Sequence, residues 1–352
     1  MSRPHRSGAR PPATMEARLV EALPTGKGWQ YEPKWDGFRC LAVRDGGKVE
    51  LIGKSGKSLT RYFPEVVASL SGSAASQFVL DGELAVPIGN GLVFDALQMR
   101  LHPARSRIDR LARETPAILI VFDMLQTAEG DDILSEPLSE RRRRLEAFFR
   151  GRHVPDVLRL SPASRSRAEA VKWLERVGGG ALDGVVAKRL DEPYRPGERT
   201  MLKVKCLRTA DCVVGGFRYA TGREGERDRL VGSLLLGLFD EEGRLDHVGF
   251  TSGIADSERA ALTRKLERLR GAGFTGKAPG GPSRWSTERS GEWEGVKPRL
   301  VAEVQYDHVT ADRFRHGTRF LRWRPDKSPR QCTFDQLQRP ARPSKMMKAV
   351  AG

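Results

Sequence analysis

The sequence contains few cysteines, few aromatic residues and no long apolar run. Only four of its 352 residues are cysteines, and none forms a CxxC pair, so neither a disulfide framework nor a zinc-ligand spacing is predicted. The best apolar runs, residues 117–122 and 231–239, are far shorter than the roughly 20 residues that cross a bilayer. These absences predict a soluble protein from a reducing, cytosolic compartment and exclude a membrane-spanning one.

Acidic residues are outnumbered by basic ones. The chain has 45 Asp and Glu against 61 Lys and Arg, which gives a formal charge of +16 at pH 7. Such an excess indicates a polyanionic partner, because phosphates neutralised by Lys and Arg release counterions. Hydrophobic residues make up 39% of the chain, although only 7% of it is aromatic, and this is enough for packed cores. A disordered or fibrous protein is therefore excluded.

Both ends of the chain are predicted to be disordered tails. Residues 1–18 are rich in Arg and Pro and contain no apolar h-region, so they are not a secretory signal, and Met15 offers an alternative start. Residues 339–352 have a similar basic, proline-containing composition. Between the tails we predict one domain over residues 19–208 and another over residues 209–338.

The periodicity between the tails alternates between 2 and 3.6, which predicts an α+β fold. In the first domain the predicted strands are residues 38–43, 49–53, 79–86, 118–125, 184–188 and 202–205, and the predicted helices are 64–70, 140–149 and 167–177. In the second domain they are strands 212–217, 234–238, 245–250, 300–306 and 320–323, with one helix over 257–269. Five short strands with one helix are typical of an OB-like barrel.

Lys34 is the sharpest local feature of the sequence. It stands in the string EPKWDGFR (residues 32–39), where the proline and glycine predict that it lies on a turn that opens a strand. An isolated KxDG string is most often only a surface lysine in a turn. Whether Lys34 is a nucleophile therefore depends on which other motifs the sequence contains.

Acids and lysines occur inside strands that are otherwise apolar. Asp81 and Glu83 alternate along one predicted strand and so point to the same face, which is costly unless a cation or metal lies opposite. The alternative is an edge strand with a solvated face. Asp183 begins a second such strand, and Lys203 and Lys205 share a face of a third. Two lysines on one face repel each other unless an anion lies between them.

Together these residues provide a lysine nucleophile, carboxylates that can hold a divalent metal through oxygen, and cations suited to phosphate. This set indicates attack on a nucleotide phosphate. A further cationic string, RWRPDK (residues 322–327), lies in the second domain, where a solvated strand end is the alternative interpretation.

In order and spacing, these motifs resemble those of the covalent nucleotidyltransferases, most closely the ATP-dependent DNA ligases and, among these, the small stand-alone bacterial LigC type. The motifs are KWDGFR (34–39), KSGK (54–57), DGE (81–83), FD (122–123), DGVVAK (183–188), KVK (203–205) and RPDK (324–327). They extend the resemblance over about residues 20–337. Three positions depart from the family pattern: Lys54 is usually Arg, Asp183 is commonly Glu, and Met201 stands where larger ligases have Trp.

The resemblance implies that Lys34 attacks the α-phosphate of ATP, that AMP passes to the 5′-phosphate of a DNA nick, and that a 3′-hydroxyl displaces it. The implied catalytic set is Lys34, Arg39, Lys203, Lys205, Asp326 and Lys327. The implied nucleotide contacts are Glu32, Lys34, Arg39, Lys54, Glu83, Phe122, Arg199, Lys203 and Lys205. Glu83 and Asp183 would hold Mg²⁺ or Mn²⁺.

Individual roles also follow from the resemblance. Glu32 would accept the adenine amino group, Phe122 would stack on the base, and Arg39 would contact the ribose or the leaving strand. Asp326 and Lys327 would close over ATP on a mobile second domain and orient pyrophosphate.

The expected partner is nicked double-stranded DNA, within the bacterial cytoplasm and nucleoid, and the sequence identifies no repair partner. The Gly- and Arg-rich segment 218–229 is predicted to reach the duplex through Arg218, Arg223, Arg227 and Arg229, with a plain hairpin tip as the alternative. Two other functions stay open: an RNA ligase or capping guanylyltransferase, and a non-catalytic basic OB-type DNA-binding protein.

Overall fold

A computed structural model divides the chain at Leu207 into two units. It describes residues 11–89, 91–151, 154–175, 182–205, 207–220, 229–280, 292–310 and 312–337. Among these residues no helix combines the length and the apolar character needed to cross a bilayer.

The first unit is built from two sheets and flanking helices. Its strands are β1 (Ala17–Leu19), β2 (Trp29–Trp35), β3 (Phe38–Asp45), β4 (Lys48–Gly53), β5 (Gln77–Ala85), β6 (Pro87–Ile88), β7 (Gly91–Leu92), β8 (Ile118–Gln126), β9 (Leu158–Leu160), β10 (Leu182–Arg189) and β11 (Met201–Lys205). Its helices are α1 (Pro64–Ser71), α2 (Phe94–Met99), α3 (Arg105–Glu114), α4 (Leu138–Arg150) and α5 (Arg167–Glu175).

The two sheets pack face to face. One has the strand order β1-β11-β10-β2, and the other has the order β4-β3-β5-β8-β9. All nine residues of β8 are buried, and alternate ones serve opposite faces. Leu119 packs with the helix residues Val66 and Leu145, whereas Ile120 packs with Trp35 and Leu182 of the other sheet. The second sheet therefore lies between a helical layer and the first sheet.

The second unit is a curled sheet with one α-helix in its described part. Its elements are β12 (Arg208–Tyr219), β13 (Val231–Phe239), β14 (Leu245–Thr251), α6 (Asp256–Arg268), β15 (Glu294–Gly295), β16 (Val301–Tyr306), β17 (Val309–Thr310), β18 (Arg313–Phe314) and β19 (Arg319–Trp323). The main path is β14-β13-β12-β16-β19. Thr251, at the end of β14, forms an isolated bridge with Thr318, just before β19. The two ends of the path therefore approach each other at this residue pair.

The α+β prediction is confirmed, and so are the five strands predicted for the second domain, which are the five strands of its main path. Helices α2 and α3 were not predicted. Arginines dominate the sequence of α3 and conceal its short apolar stripe, in which Ile108, Leu111 and Ala112 are buried.

The prediction that Lys34 lies on a turn is wrong, because Lys34 is part of β2. The nearby Pro33 suggested a turn, but β2 is an edge strand of its sheet, where a residue without a backbone N–H is tolerated. The turn comes two residues later, at Asp36 and Gly37.

The prediction of a disordered tail through residue 18 is also wrong for its last part. Thr14 and Met15 are buried, and β1 pairs in parallel with β11, with Ala17 opposite Met201. Its partner strand lies far along the chain, so the local composition gave no sign of the pairing. Residues 1–10 and the predicted tail 339–352 lie outside the described residues.

A buried ion pair ties α4 to the central strand β8. Arg141 and Asp123 are each 1% exposed in their side chains, and two N–O contacts of 2.9 Å join them. Burial raises the pKa of Asp123, but Arg141 outweighs this effect and holds the pKa below its ordinary value. Arg141 also donates to the carbonyl of Glu136 at 2.7 Å. The pair therefore fixes the start of α4 on the sheet.

We predict that Asp123→Ala lowers the free energy of unfolding by about 3–5 kcal/mol, because it leaves the buried Arg141 charge without its partner. Urea unfolding followed by circular dichroism measures this change. The matched control is Glu114→Ala, which breaks an exposed Arg110–Glu114 pair on α3 and should cost less than about 1 kcal/mol. Equal losses in the two variants would contradict the prediction.

Candidate active site

A cavity of about 750 Å³ opens in the first unit, between its two sheets. Side chains from β2, β3, β5, β8, β10 and β11 line it, together with the segment Thr14 to Ala17. Of the predicted site residues, Glu32, Lys34, Arg39, Lys54, Glu83, Phe122 and Lys203 line this cavity. Residues predicted from motifs more than 160 positions apart are thus brought to one place.

Lys34 projects from β2 toward a carboxylate on the neighbouring strand β10. Its Nζ lies 2.7 Å from Oδ2 of Asp183, and Nζ of Lys205 lies 3.1 Å from the same oxygen. Burial raises the pKa of Asp183, but Lys34 and Lys205 outweigh it and hold the pKa below its ordinary value. Asp183 is therefore the anion that allows the two lysines to lie close together.

Glycine is required next to Asp183. The β10–β2 register shifts between Leu182 and Gly184, and Gly184 has a φ of +155°. A Cβ on Gly184 would lie 2.1 Å from the carbonyl oxygen of Val204 on β11. The missing side chain thus allows β10 and β11 to pack closely at the irregularity that places Asp183.

Lys203 lies on β11, two residues before Lys205. Burial lowers the pKa of Lys203, and the charges of Lys34, Lys205 and Lys54 lower it further. Among the described residues it has no salt-bridge partner. An anion entering the cavity would therefore meet a cation that is not already neutralised.

Both carboxylate oxygens of Glu32 are already engaged. Oε1 accepts from Nε2 of Gln30 at 2.7 Å, and Oε2 lies 2.7 Å from Nζ of Lys188. Glu32 is 2% exposed. Lys188 Nζ also lies 4.7 Å from the centroid of the Phe122 ring. The predicted base-contacting residues, Glu32 and Phe122, are therefore linked through Lys188.

Arg39 is held by Asp81, which is completely buried on β5. Its Nε and Nη2 each donate to one oxygen of Asp81 at 2.6 Å. The guanidinium carbon lies 4.4 Å from the centroid of the Phe122 ring. Asp81 and Glu83 therefore have separate roles, since Asp81 binds Arg39 and is not among the residues that line the cavity.

Glu16 joins two predicted nucleotide contacts at the edge of the cavity. One of its oxygens lies 3.3 Å from Nζ of Lys54 and 3.3 Å from Nε of Arg199. Arg199 itself does not line the cavity, and its side chain is 73% exposed. Glu16 belongs to the segment that was predicted to be disordered, so its part in the site was missed.

The cavity contains one carboxylate with an elevated pKa. Burial raises the pKa of Glu83 to about 7, despite the opposing charges of Lys34 and Arg39. The described residues hold no cluster of three or more His, Cys, Asp or Glu side chains arranged for a metal ion. Glu83 and Asp183 could each give one carboxylate, which suits a Mg²⁺ ion that takes its other ligands from phosphate and water.

The RPDK string of the second unit is organised by Asp211 on β12. Nη1 of Arg324 lies 3.0 Å from Oδ1 of Asp211, and Nζ of Lys327 lies 2.7 Å from its Oδ2. Nη2 of Arg324 also lies 2.8 Å from Asp326. Asp326 and Lys327 are thus held in one cluster within their own unit.

Of the four predicted DNA contacts, Arg218 and Arg229 fall within the described residues, whereas Arg223 and Arg227 lie outside them. The guanidinium of Arg229 lies 4.6 Å from the centroid of the Tyr219 ring. The pKa of Arg218 is lowered by burial and by the charge of Arg313. Arg313 also donates to Nδ1 of the buried His247 at 3.0 Å, since burial lowers the pKa of that histidine to about 3 and keeps it neutral.

Sequence reasoning found the charged motif residues of both units and missed several of their partners. The missed residues are Glu16, Gln30, Asp211 and Tyr194, whose hydroxyl binds Asp81. Gln30 precedes Glu32 by two positions on β2, so the strand period of 2 would have placed both side chains on one face. The other three gave no local signal, because each meets its partner from a distant part of the chain.

The chain is similar to known proteins over most of its length. Residues 14–205 match the family model described as "ATP dependent DNA ligase domain", and residues 227–327 match "ATP dependent DNA ligase C terminal region". The chain is 41% identical to DNA ligase C2 of Mycolicibacterium smegmatis, covering 94% of this chain and 95% of that protein. It is 40% identical to DNA ligase C of Mycobacterium tuberculosis, with 94% of each chain covered.

A solved structure from a study of Lig E DNA ligases has a similar fold. Its TM-score is 0.55 at 17% identity, and the match covers 89% of this chain and 99% of that one. At this identity the likeness concerns the fold alone.

Proposed function

The chain belongs to the family of ATP-dependent DNA ligases, and we propose that Lys34 is the residue through which it transfers AMP. The enzyme uses ATP to seal nicks in DNA. An RNA ligase, a capping enzyme and a non-catalytic DNA-binding protein, which the sequence alone left open, are less consistent with this membership.

One observation carries the assignment of Lys34. Its Nζ lies in a cavity large enough for a nucleotide, beside Asp183, Lys203 and Lys205 from two neighbouring strands. No other lysine in the cavity combines this position with the KxDG motif. Lys188 is 4% exposed and bound to Glu32, whereas the side chain of Lys54 is 60% exposed.

In the proposed first step, Nζ of Lys34, as a free amine, forms a bond to the α-phosphorus of ATP. The bond from that phosphorus to the bridging oxygen breaks, pyrophosphate leaves, and the nitrogen loses one of its two protons to solvent. Lys203 and Lys205 balance the developing negative charge on the phosphate. AMP then passes to the 5′-phosphate of the nick, and the 3′-hydroxyl displaces it.

The nucleotide itself would be held by the remaining lining residues. Glu32 would accept from the adenine amino group, at the expense of its present bond to Gln30, and Phe122 would stack on the base. Arg39 would contact the ribose, and Lys54 and Arg199 would leave Glu16 for the phosphates. These roles rest on the family resemblance and on the positions of the side chains around the cavity.

We assign the divalent cation, Mg²⁺ or Mn²⁺, to Glu83 and Asp183. When bound, such an ion neutralises charge on the polyphosphate. Asp183 carries a full negative charge at neutral pH, since its pKa is low. Glu83, with a pKa of about 7, would bind a cation in its deprotonated form.

We predict that wild-type protein incubated with ATP and Mg²⁺ gains the mass of one AMP, and that Lys34→Ala does not, because the nucleophile is gone. Intact-protein mass spectrometry measures the adduct. The control is Lys48→Ala, which removes a lysine with a 72% exposed side chain at the start of β4 and should react normally. An AMP adduct on the Lys34→Ala protein would show that the nucleophile lies elsewhere.

Lys327, in the second unit, allows the adenylylation of Lys34 to be tested separately from the sealing of the nick. If Asp326 and Lys327 orient pyrophosphate, they act only while ATP is being attacked. Loss of Lys327 leaves Asp211 paired with Arg324, so the fold of the unit should be kept.

We therefore predict that Lys327→Ala lowers the rate of Lys34 adenylylation by about 100-fold, because a misplaced leaving group costs on this order. It should still seal a nick that already carries 5′-AMP, within about twofold of wild type. Gel assays with ATP and with the pre-adenylylated nick measure the two rates. Lys277→Ala, in the same unit and 73% exposed, is the control, and equal losses in both assays would argue against this role.

Binding to the duplex is proposed to rest chiefly on phosphate contacts, given the charge of +16. With Z phosphates neutralised, log K falls with log[salt] at a slope of about −0.9Z, so roughly six contacts give a slope near −5. Arg218, Arg223, Arg227 and Arg229 are the proposed contacts of the segment 218–229.

We predict that the triple change Arg223→Ala, Arg227→Ala and Arg229→Ala flattens this slope by about 3, since each lost contact removes about one unit. Fluorescence anisotropy of nicked DNA over a salt series measures the slope, and Lys34 adenylylation should be unchanged. The control replaces Arg110, Arg143 and Arg150, each already beside a carboxylate. If both triple variants flatten the slope equally, the segment has no special role.

The cellular setting is also proposed by analogy. Relatives with 31–33% identity are named as multifunctional non-homologous end joining proteins LigD in mycobacteria and Pseudomonas aeruginosa. This chain spans 37–38% of the length of those proteins. We infer that it acts in DNA repair, in the cytoplasm of a bacterium and on its nucleoid.

A further inference from the structure

Tyr194 is a buried residue that none of the roles above uses. It lies in the loop between β10 and β11 and is 4% exposed. Its backbone N–H donates to the carbonyl of Leu134 at 2.9 Å, and the guanidinium of Arg141 lies 5.7 Å from the centroid of its ring. The backbone and the ring are therefore each held by a neighbour, which gives the hydroxyl a defined direction.

The Tyr194 hydroxyl is the middle of a hydrogen-bonded chain. It accepts from the backbone N–H of Met15 at 2.8 Å and donates to Oδ2 of Asp81 at 2.7 Å. Burial and the neighbouring charge of Asp81 raise the pKa of Tyr194, so the hydroxyl keeps its proton. With one proton to give and the Met15 N–H occupying the oxygen, the hydroxyl can donate only toward Asp81.

The hydrogen bond that Tyr194 donates matters because its acceptor, Asp81, positions Arg39. Asp81 is completely buried and binds Nε and Nη2 of Arg39, which fixes the plane of the guanidinium. Nη2 also reaches the carbonyl of Met15 at 3.4 Å. Among the described residues no acceptor engages Nη1, which leaves that nitrogen for a ligand in the cavity.

We propose that Tyr194 is a positioning residue of the nucleotide pocket, which orients Arg39 through Asp81 and holds the segment Thr14 to Ala17 against the cavity through the backbone of Met15. Two walls of the pocket that are far apart in sequence thus depend on one hydroxyl group. The proposal rests on the proposed function, because it assumes that Arg39 contacts the bound nucleotide.

Loss of the hydroxyl has a definite structural consequence. In Tyr194→Phe the N–H of Met15 loses its acceptor and Asp81 loses its third donor, while the ring and its packing remain. The carboxylate can then rotate, and Arg39 with it. We expect kcat/KM for Lys34 adenylylation to fall about 10-fold, since small misplacements of a contacting group have effects of this size.

A matched control is available in the same unit. Tyr31 is 2% exposed, and its hydroxyl donates to the carbonyl of Pro24 at 2.9 Å, within a different hydrophobic cluster. Tyr31→Phe therefore removes a buried, hydrogen-bonded hydroxyl that has no connection to Arg39. Its kcat/KM should stay within about twofold of wild type, while its thermal stability falls to an extent similar to that of Tyr194→Phe.

A double-mutant cycle with Arg39→Ala tests whether Tyr194 acts through Arg39. If it does, most of the roughly 10-fold loss should disappear in the Arg39→Ala background, and only the smaller effect of the lost Met15 contact should remain. A merely structural role would instead give the same 10-fold loss in both backgrounds, and that result would overturn the proposal, as would a wild-type rate in Tyr194→Phe alone.

Two further results of these experiments have a different meaning: a variant that does not fold, and a wild-type protein that forms no adduct. If Tyr194→Phe does not fold, as judged by circular dichroism, the hydroxyl supports the whole unit rather than the orientation of Arg39, and the proposal is overturned. If the wild-type protein forms no lysyl-AMP adduct, the proposed function fails before the positioning role is tested.

Discussion

Like charges crowded around one cavity are the constraint on which the first unit depends. Five cations close to the cavity have a carboxylate partner: Lys34 and Lys205 with Asp183, Lys188 with Glu32, Arg39 with Asp81, and Lys54 with Glu16. A buried charge without a partner costs several kcal/mol, so the folded pocket needs these anions before any nucleotide binds. Lys203, which has no such partner among the described residues, is the exception that an incoming phosphate would satisfy.

The second unit also pairs its clustered cations with a carboxylate of its own. Asp211 gathers Arg324 and Lys327 from 113 and 116 positions away, so the RPDK cluster is assembled without help from the first unit. Its side chains are therefore already arranged within their own unit, and little further ordering of them would be required on ligand binding.

The sequence predicted the strands and cations of the site because both follow local rules. The alternation of apolar and charged residues placed Lys203 and Lys205 on one strand, β11. The apolar run of β8 identified the central strand. The placement of Lys34 failed because Pro33 is a turn signal in most contexts and an edge-strand residue in this one. Contacts such as Tyr194 with Asp81, or Glu16 with Lys54, could not be predicted, since they depend on tertiary packing between distant segments.

The pairing of the N-terminal segment with the end of the first unit has a consequence for synthesis of the chain. Met15 and its partner Tyr194 are separated by 179 residues, and β1 adds to β11 only after both β10 and β11 exist. At 5–20 residues per second, a ribosome needs roughly 10–35 s to make that interval. Residues 14–19 are thus made long before their partners, and the cavity between the two sheets is completed only when nearly the whole unit has left the exit tunnel.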